Sequence, residues 1–246
     1  MKIKRLLAAA VAAAGLFLSG CASMEPPARF EVTVDSIASA ESATKRSYVL
    51  APGDKSVNET DLQYQEFASY VHKVLGERGF TKAGALQDAQ LLVFLTYGIG
   101  DPQAHQYTYE VPKFGQTGVA SSSTFGTASL YGNRGTYSAT TTYTPTFGVV
   151  GSTTHVATEV TYTRSLTLDA YDAPAYAADK KLAQVWKTSV RSTGSSDDLR
   201  RVLPYMVWAA KPLLATNTGK KIAVTVLENE PGVQALRAEA QQASSK

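Results

Sequence analysis

Phe30, Val32 and Val34 alternate with Glu31, Thr33 and Asp35, the period-two signature of a half-buried strand. A second strand is predicted over 46–50. The period then changes: Tyr64, Phe67, Ala68, Val71, Val74 and Leu75 fall on one helical face. That helix is predicted over 60–78. It is entered by a capping box of Thr60 and Gln63 and stopped by Gly79, a left-handed glycine followed by the apolar Phe80. The continuous apolar run 91–95 suits a central strand buried on both faces. Over 156–170 the alternation returns, with Val156, Val160, Tyr162, Leu166 and Leu168 facing one way and Glu159, Thr161, Thr163, Thr167 and Asp169 the other. Residues 181–191, around Val185 and Trp186, are its expected hairpin partner across the turn-rich 172–179. Ser196, Asp197 and Asp198 start a second helix whose stripe is Leu199, Val202, Leu203, Met206, Ala210 and Leu213. Pro204 and Pro212 are expected to kink or divide it. Ile222, Val224 and Val226 form a last strand, and 228–246 is expected to be a flexible tail, weakly helical at most. This order predicts an α+β fold: a mainly antiparallel or mixed sheet with two packed helices, forming a single domain over 30–227.

One segment breaks the pattern. Residues 114–158 contain a single formal charge, Arg134, and are dominated by Gly, Ser, Thr, Tyr and Val. Thr-Phe-Gly occurs at 124–126 and again at 146–148. Gly132-Asn133-Arg134-Gly135 is a good turn between them. Tyr131, Tyr137 and Tyr143 are evenly spaced at an even interval, so they would share one face of any straight strand. We read a long, hairpin-like insertion over about 100–156. A disordered low-complexity loop is the alternative, although a structureless stretch of this length inside a compact domain is unusual.

The N-terminus carries an address. Lys2, Lys4 and Arg5 precede an apolar run over 6–18, followed by Leu18-Ser19-Gly20-Cys21. A basic start, a short apolar stretch and small residues make a secretory signal peptide over 1–20. The run is shorter than the ~20 residues a spanning helix needs. The cysteine resembles that of a bacterial lipobox, which implies covalent lipid on Cys21 as the first residue of the mature chain. Residues 21–29 then form the lipidated cysteine and its tether, with Pro26-Pro27. The implied partner is a membrane, reached through acyl chains, and stable attachment takes more than one of them. Cys21 is the only cysteine, so a lipidated chain has no disulfide and must rely on burial.

Charge changes the picture in one respect. The whole chain carries 24 Lys+Arg against 21 Asp+Glu, formally +3. Lys2, Lys4 and Arg5 leave with the leader, and the mature chain is neutral. Nothing in that balance argues for nucleic acid as a partner.

Several motifs resemble domain-of-unknown-function family 4136, a group of bacterial lipoproteins. They are the strand Arg46-Ser47-Tyr48-Val49-Leu50-Ala51-Pro52, the helix end Leu75-Gly76-Glu77-Arg78-Gly79-Phe80, and Asp88-Ala89-Gln90-Leu91-Leu92-Val93. Gln184-Val185-Trp186-Lys187-Thr188 and Val202-Leu203-Pro204 follow. The likeness covers most of 30–227. It implies a periplasm-facing α+β domain on a lipid anchor and supplies no catalytic residues. Gln90 departs from the family, which often has an acidic residue there, and the insertion is unusually long. Ala22 and Ser23 lack the aspartate that often retains lipoproteins in the inner membrane, which by analogy favours the outer membrane.

The sequence offers little chemistry. None of the serines lies in a nucleophile elbow, and lipidation removes the one thiol. The glycines of the insertion lack the lysine and helix start of a phosphate loop. No catalytic residue and no cofactor besides the lipid are expected. His72 sits beside an apolar helix face as a boundary residue. His105 and His155 become a metal candidate, for zinc or copper, if their strands pair so that His105 faces His155 and Asp101 faces Glu159. That register is an assumption, and a one-residue slip removes it. The leading expectation is a non-enzymatic envelope lipoprotein that binds a protein partner or itself. Its surface would be the uncharged insertion with Tyr131, Tyr137 and Tyr143, whose unguarded strand edge invites pairing with another chain. Two alternatives are a glycan-binding or hydrolytic cell-wall protein and a metal-binding lipoprotein.

Overall fold

A computed structural model of the chain describes residues 27–244. The leader, Cys21 and most of the expected tether lie outside them. Eight strands are formed: β1 (Arg29–Ala38), β2 (Ser47–Pro52), β3 (Thr81–Lys82), β4 (Leu91–Ile99), β5 (Gln103–Tyr131), β6 (Arg134–Asp172), β7 (Gln184–Gly194) and β8 (Ile222–Leu227). Four helices accompany them: α1 (Leu62–Glu77), α2 (Ala173–Asp179), α3 (Leu199–Ala210) and α4 (Pro231–Ser244). The sheet order is β3-β2-β4-β6-β7-β1-β8, with β5 paired to β6 off that path. β2 runs parallel to β3 and β4, while β1 runs antiparallel to β7 and β8. The sheet is therefore mixed and the fold is α+β, as expected.

The chain divides into two compact units. The first holds the described residues up to Thr96, Leu166–Ser192 and the described residues from Arg200 onward; the second holds Tyr97–Ser165 and Thr193–Leu199.

Period-two burial builds the core of the first unit. Val32 and Val34 of β1, Leu166, Leu168 and Ala170 of β6, and Val190 of β7 are all buried. β4 is covered on both faces, as its unbroken apolar run requires. Leu91, Val93 and Leu95 enter the main core, and Leu92 joins a small cluster with Ala89 and Ala173. Two hydroxyls share the main core: Ser36 and Thr188 are opposite in the β1–β7 ladder and hydrogen-bond at 2.8 Å. The pairing spares each hydroxyl the cost of burial without a partner. Both tryptophans belong to this unit. Trp186 is buried with Phe80 at 6.1 Å between ring centroids, and Trp208 carries the Lys211 ammonium over its ring at 4.2 Å.

α1 shows how closely local chemistry sets the boundaries. Asp61, not Thr60, is its N-cap: the carboxylate accepts the N–H groups of Gln63 and Tyr64 at 2.9 and 3.0 Å. Asp61 competes for the same orphan donors and wins by being one residue nearer. The far end follows expectation. Gly79 has φ +82°, Phe80 N–H bonds Leu75 C=O and Gly79 N–H bonds Gly76 C=O, a Schellman closure.

Other expectations need correction. The stretch 172–179 forms α2, because Asp172 caps it by accepting Ala175 N–H at 2.8 Å. Lys45 pairs with the same carboxylate and with Glu41, which holds the Asp172 carboxyl below its usual range and raises Lys45. Pro204 does not divide α3; the helix gives way to a 3-10 turn at Lys211–Leu213, which contains Pro212. The supposed flexible tail contains α4, packed against α1, with Val233, Leu236 and Ala240 buried. Its apolar residues are few and widely spaced, so the sequence pattern under-reports a face that only tertiary packing completes.

Leu236→Ala tests that packing. A buried leucine truncated to alanine costs about 2–3 kcal/mol, whereas a substitution in a loose tail costs nothing measurable. Urea denaturation of the two proteins separates these outcomes.

Candidate functional site

The second unit is built on an ordered β5–β6 ribbon, which resolves the alternatives for the insertion in favour of a hairpin. Tyr131 pairs with Arg134, leaving Gly132 and Asn133 as a two-residue loop. Gly132 takes φ +62°, and glycine at the first loop position suits the twist of a tight hairpin. The 29 residues of β5 extend roughly 95 Å at about 3.3 Å per residue. Nearly all of β5, and of β6 up to residue 160, is exposed to solvent. Val156 is 67% exposed, against 1% for Leu166 on the same strand. The long alternation in β6 thus marks burial only in its last third.

Cross-strand contacts, rather than a core, hold the ribbon. Thr124 and Thr141 hydroxyls bond at 2.9 Å, and Thr117 and Thr146 at 3.2 Å. Glycines lie beneath larger side chains of the other strand: a Cβ at Gly126 would strike the Tyr137 ring, and one at Gly115 would press on Val150. This is cross-strand aromatic and β-branched packing of the kind that steadies a sheet.

The three tyrosines do not share a face. Tyr131 is directly opposite Arg134, so the two point the same way. Tyr137 is an odd number of residues along β6 from Arg134 and points the other way, and Tyr143 further along β6 shares that face. The turn falls between Tyr131 and Tyr137, so the straight strand assumed for them does not exist. They are 93%, 72% and 62% exposed. Tyr143 and Tyr137 lie on the more apolar face, with Phe114, Val119, Phe147 and Val149. The other face is largely rows of Ser and Thr.

The assumed facing of the histidines is also corrected. His105 pairs with Glu159, and His155 pairs with Tyr109, on which it stacks at 5.5 Å. His105 and His155 are therefore four residues out of register, roughly 14 Å along the ribbon. One ion with ligand bonds of about 2 Å cannot take both. Asp101 precedes β5 and does not face Glu159. No group of three or more His, Cys, Asp or Glu among the described residues is placed to hold a metal ion. Three register shifts, at 113/114, 116/118 and 119/121, partly cancel and move the pairing at the histidines by one residue from that counted out from the turn.

Two sites escaped the sequence reading. Arg164 is buried in the second unit, where its Nη1 donates to Gly194 and Ser196 carbonyls at 3.2 and 2.8 Å. Burial lowers its pKa. Its position between Tyr162 and Leu166, on the inward parity, was the available signal. In the first unit, His72 is more than a boundary residue: its Nδ1 and the Tyr48 hydroxyl hydrogen-bond at 2.7 Å. His72 borders a cleft of about 420 Å³ between α1 and the β2–β3 side, lined also by Ser69, Gln65 and Lys82. Burial pushes the imidazole down to about 4, with the Lys82 charge acting in the same direction, and pushes Tyr48 up to about 12. Both groups are therefore neutral at pH 7. No carboxylate hydrogen-bonds either of them among the described residues, so the pair lacks the third group that orients a base. It satisfies two polar groups at the core margin.

What this architecture defines is an α+β protein with a mixed sheet and a long, solvent-exposed two-stranded ribbon. The family described as a domain of unknown function (DUF4136) matches residues 32–210, and the chain belongs to that family. No curated protein matches the chain. The crystal structure of a PDZ domain protein from Parabacteroides distasonis ATCC 8503 is similar to it at a TM-score of 0.38 and 12% identity, over 83% of this chain and 41% of that one. The chain spans less than half of that protein, and a likeness of this degree carries no argument.

The His72 pKa sets a pH dependence. The unfolded imidazole protonates near 6.5 and the folded one only near 4, so acid favours the unfolded chain. The contribution is intact above about pH 6.5 and declines by roughly 2–3 kcal/mol toward pH 4. Denaturation midpoints between pH 4 and 7 should fall more steeply for the natural chain than for His72→Gln.

Proposed function

We propose that the protein is a lipid-anchored component of the cell envelope, facing the periplasm, in which the ribbon serves as a protein-interaction or assembly surface. The observation that carries this reading is the ribbon itself. It is paired along its whole length, exposed on both faces, and has a single formal charge over 114–158. Solvated strands are ordinarily guarded by charge. Exposed Phe114, Val119, Leu130, Tyr137, Tyr143 and Phe147 form more apolar surface than a segment needing only solubility would carry. The basic and apolar N-terminus ending in Leu18-Ser19-Gly20-Cys21 supports the anchor. No helix among the described residues is long and apolar enough to cross a membrane, and the acyl chains on Cys21 supply the attachment.

Cells fed labelled palmitate should incorporate it into the chain and not into Cys21→Ser, which should also leave the membrane fraction. Deleting 114–155 should leave a folded, lipidated protein that loses its partners in crosslinking. An unchanged crosslinking pattern would remove the ribbon from the interaction.

A further inference from the structure

We infer that the ribbon's partner is a second copy of the chain, joined through the outer edge of β5 over 121–131 in an antiparallel, two-fold arrangement. The inference rests on the reading of the ribbon as an interaction surface and names its occupant. Among the described residues β5 pairs only with β6, so along its other edge alternate N–H and C=O groups point to water. Those edges are not guarded equally. The base of β5 carries His105, Glu110, Pro112 and Lys113, and register shifts follow at 116/118 and 119/121. β6 carries Arg134 beside the turn and Pro145 in its middle. Pro145 cannot donate to a further strand. Between 121 and 131, β5 has no charge, no proline and no register shift.

That stretch is also self-compatible. In a two-fold antiparallel pair the segment faces itself, so any charge near the axis would meet its own copy. Here Ser, Thr, Ala, Gly and Phe meet instead, and hydroxyls can bridge the joint as Thr124 and Thr141 already do within the ribbon. A two-fold axis normal to the sheet keeps the Ser/Thr faces of both copies on one side and the apolar faces on the other. The product is a four-stranded sheet, whereas a lone two-stranded hairpin is marginal in water. A second copy offers an edge of the same length and chemistry by construction, and the contact is isologous.

Lysines placed on the two strands test the edge. Ser123→Lys and Thr127→Lys lie on β5, next to the joint. Thr142→Lys and Ser138→Lys are their cross-strand partners on β6, on the same face but one strand away. Sedimentation velocity of the full chain in mild detergent should show a dimer. The β5 lysines should weaken it roughly tenfold or more, and the β6 lysines should leave it nearly unchanged. Because both pairs burden the ribbon alike, equal losses from both would overturn the edge assignment. A monomeric natural chain would overturn the second copy as partner. If deletion of 114–155 still strips crosslinked proteins in cells, the interaction reading survives that result. A dimer that persists without 114–155 would place the joint outside the ribbon and overturn this inference.

Discussion

The demand that every backbone N–H and C=O find a partner organises both units, and each meets it differently. In the first unit the ladders are interior. β4 has β2 on one side and β6 on the other, and apolar layers exclude water from it. Side-chain burial and backbone pairing reinforce each other there, so period-two alternation in the sequence maps directly onto structure. In the second unit the ladder stands without a layer above or below most of its length. Order comes from the strand pair itself, from hydroxyl bridges and from rings laid over glycines.

That difference explains how much of the molecule was legible. The strands at 30, 47 and 166 could be read because burial on one face writes itself as hydrophobic alternation, and that at 91 because burial on both faces leaves an unbroken apolar run. Gly79 could be read because one residue type fits the conformation. The register of β5 on β6 could not. Register is normally fixed by which face is buried, and here neither face is. The shifts at Phe114, Gly118 and Ser121 partly cancel, two adding a residue on β5 and one on β6, so the pairing at the histidines differs by one residue from that at the turn. The same gap separated Tyr131 from Tyr137, which equal spacing placed on one face and the turn placed on two.

Buried polar residues were the other blind spot. Tyr48 with His72, Ser36 with Thr188, and Arg164 with its two carbonyls lie on apolar parity and look like interruptions of it. Each bonds a group distant in sequence, and no local pattern announces such a pairing. α4 is the converse case. Its stripe of Val233, Leu236 and Ala240 is too thin to signal a helix, and a surface supplied by other elements makes it one. Asp61 displaces Thr60 for a local reason, since capping is decided by which side chain reaches the free amides.

The placement of the indoles has a practical corollary. Trp186 and Trp208 both report from the first unit, and the ribbon, for all its phenol and phenyl rings, contains no tryptophan. Emission excited at the red edge of protein absorption therefore follows the first unit alone. The hairpin could fray, pair or unpair without altering that signal, and a cooperative optical transition would say nothing of the ribbon.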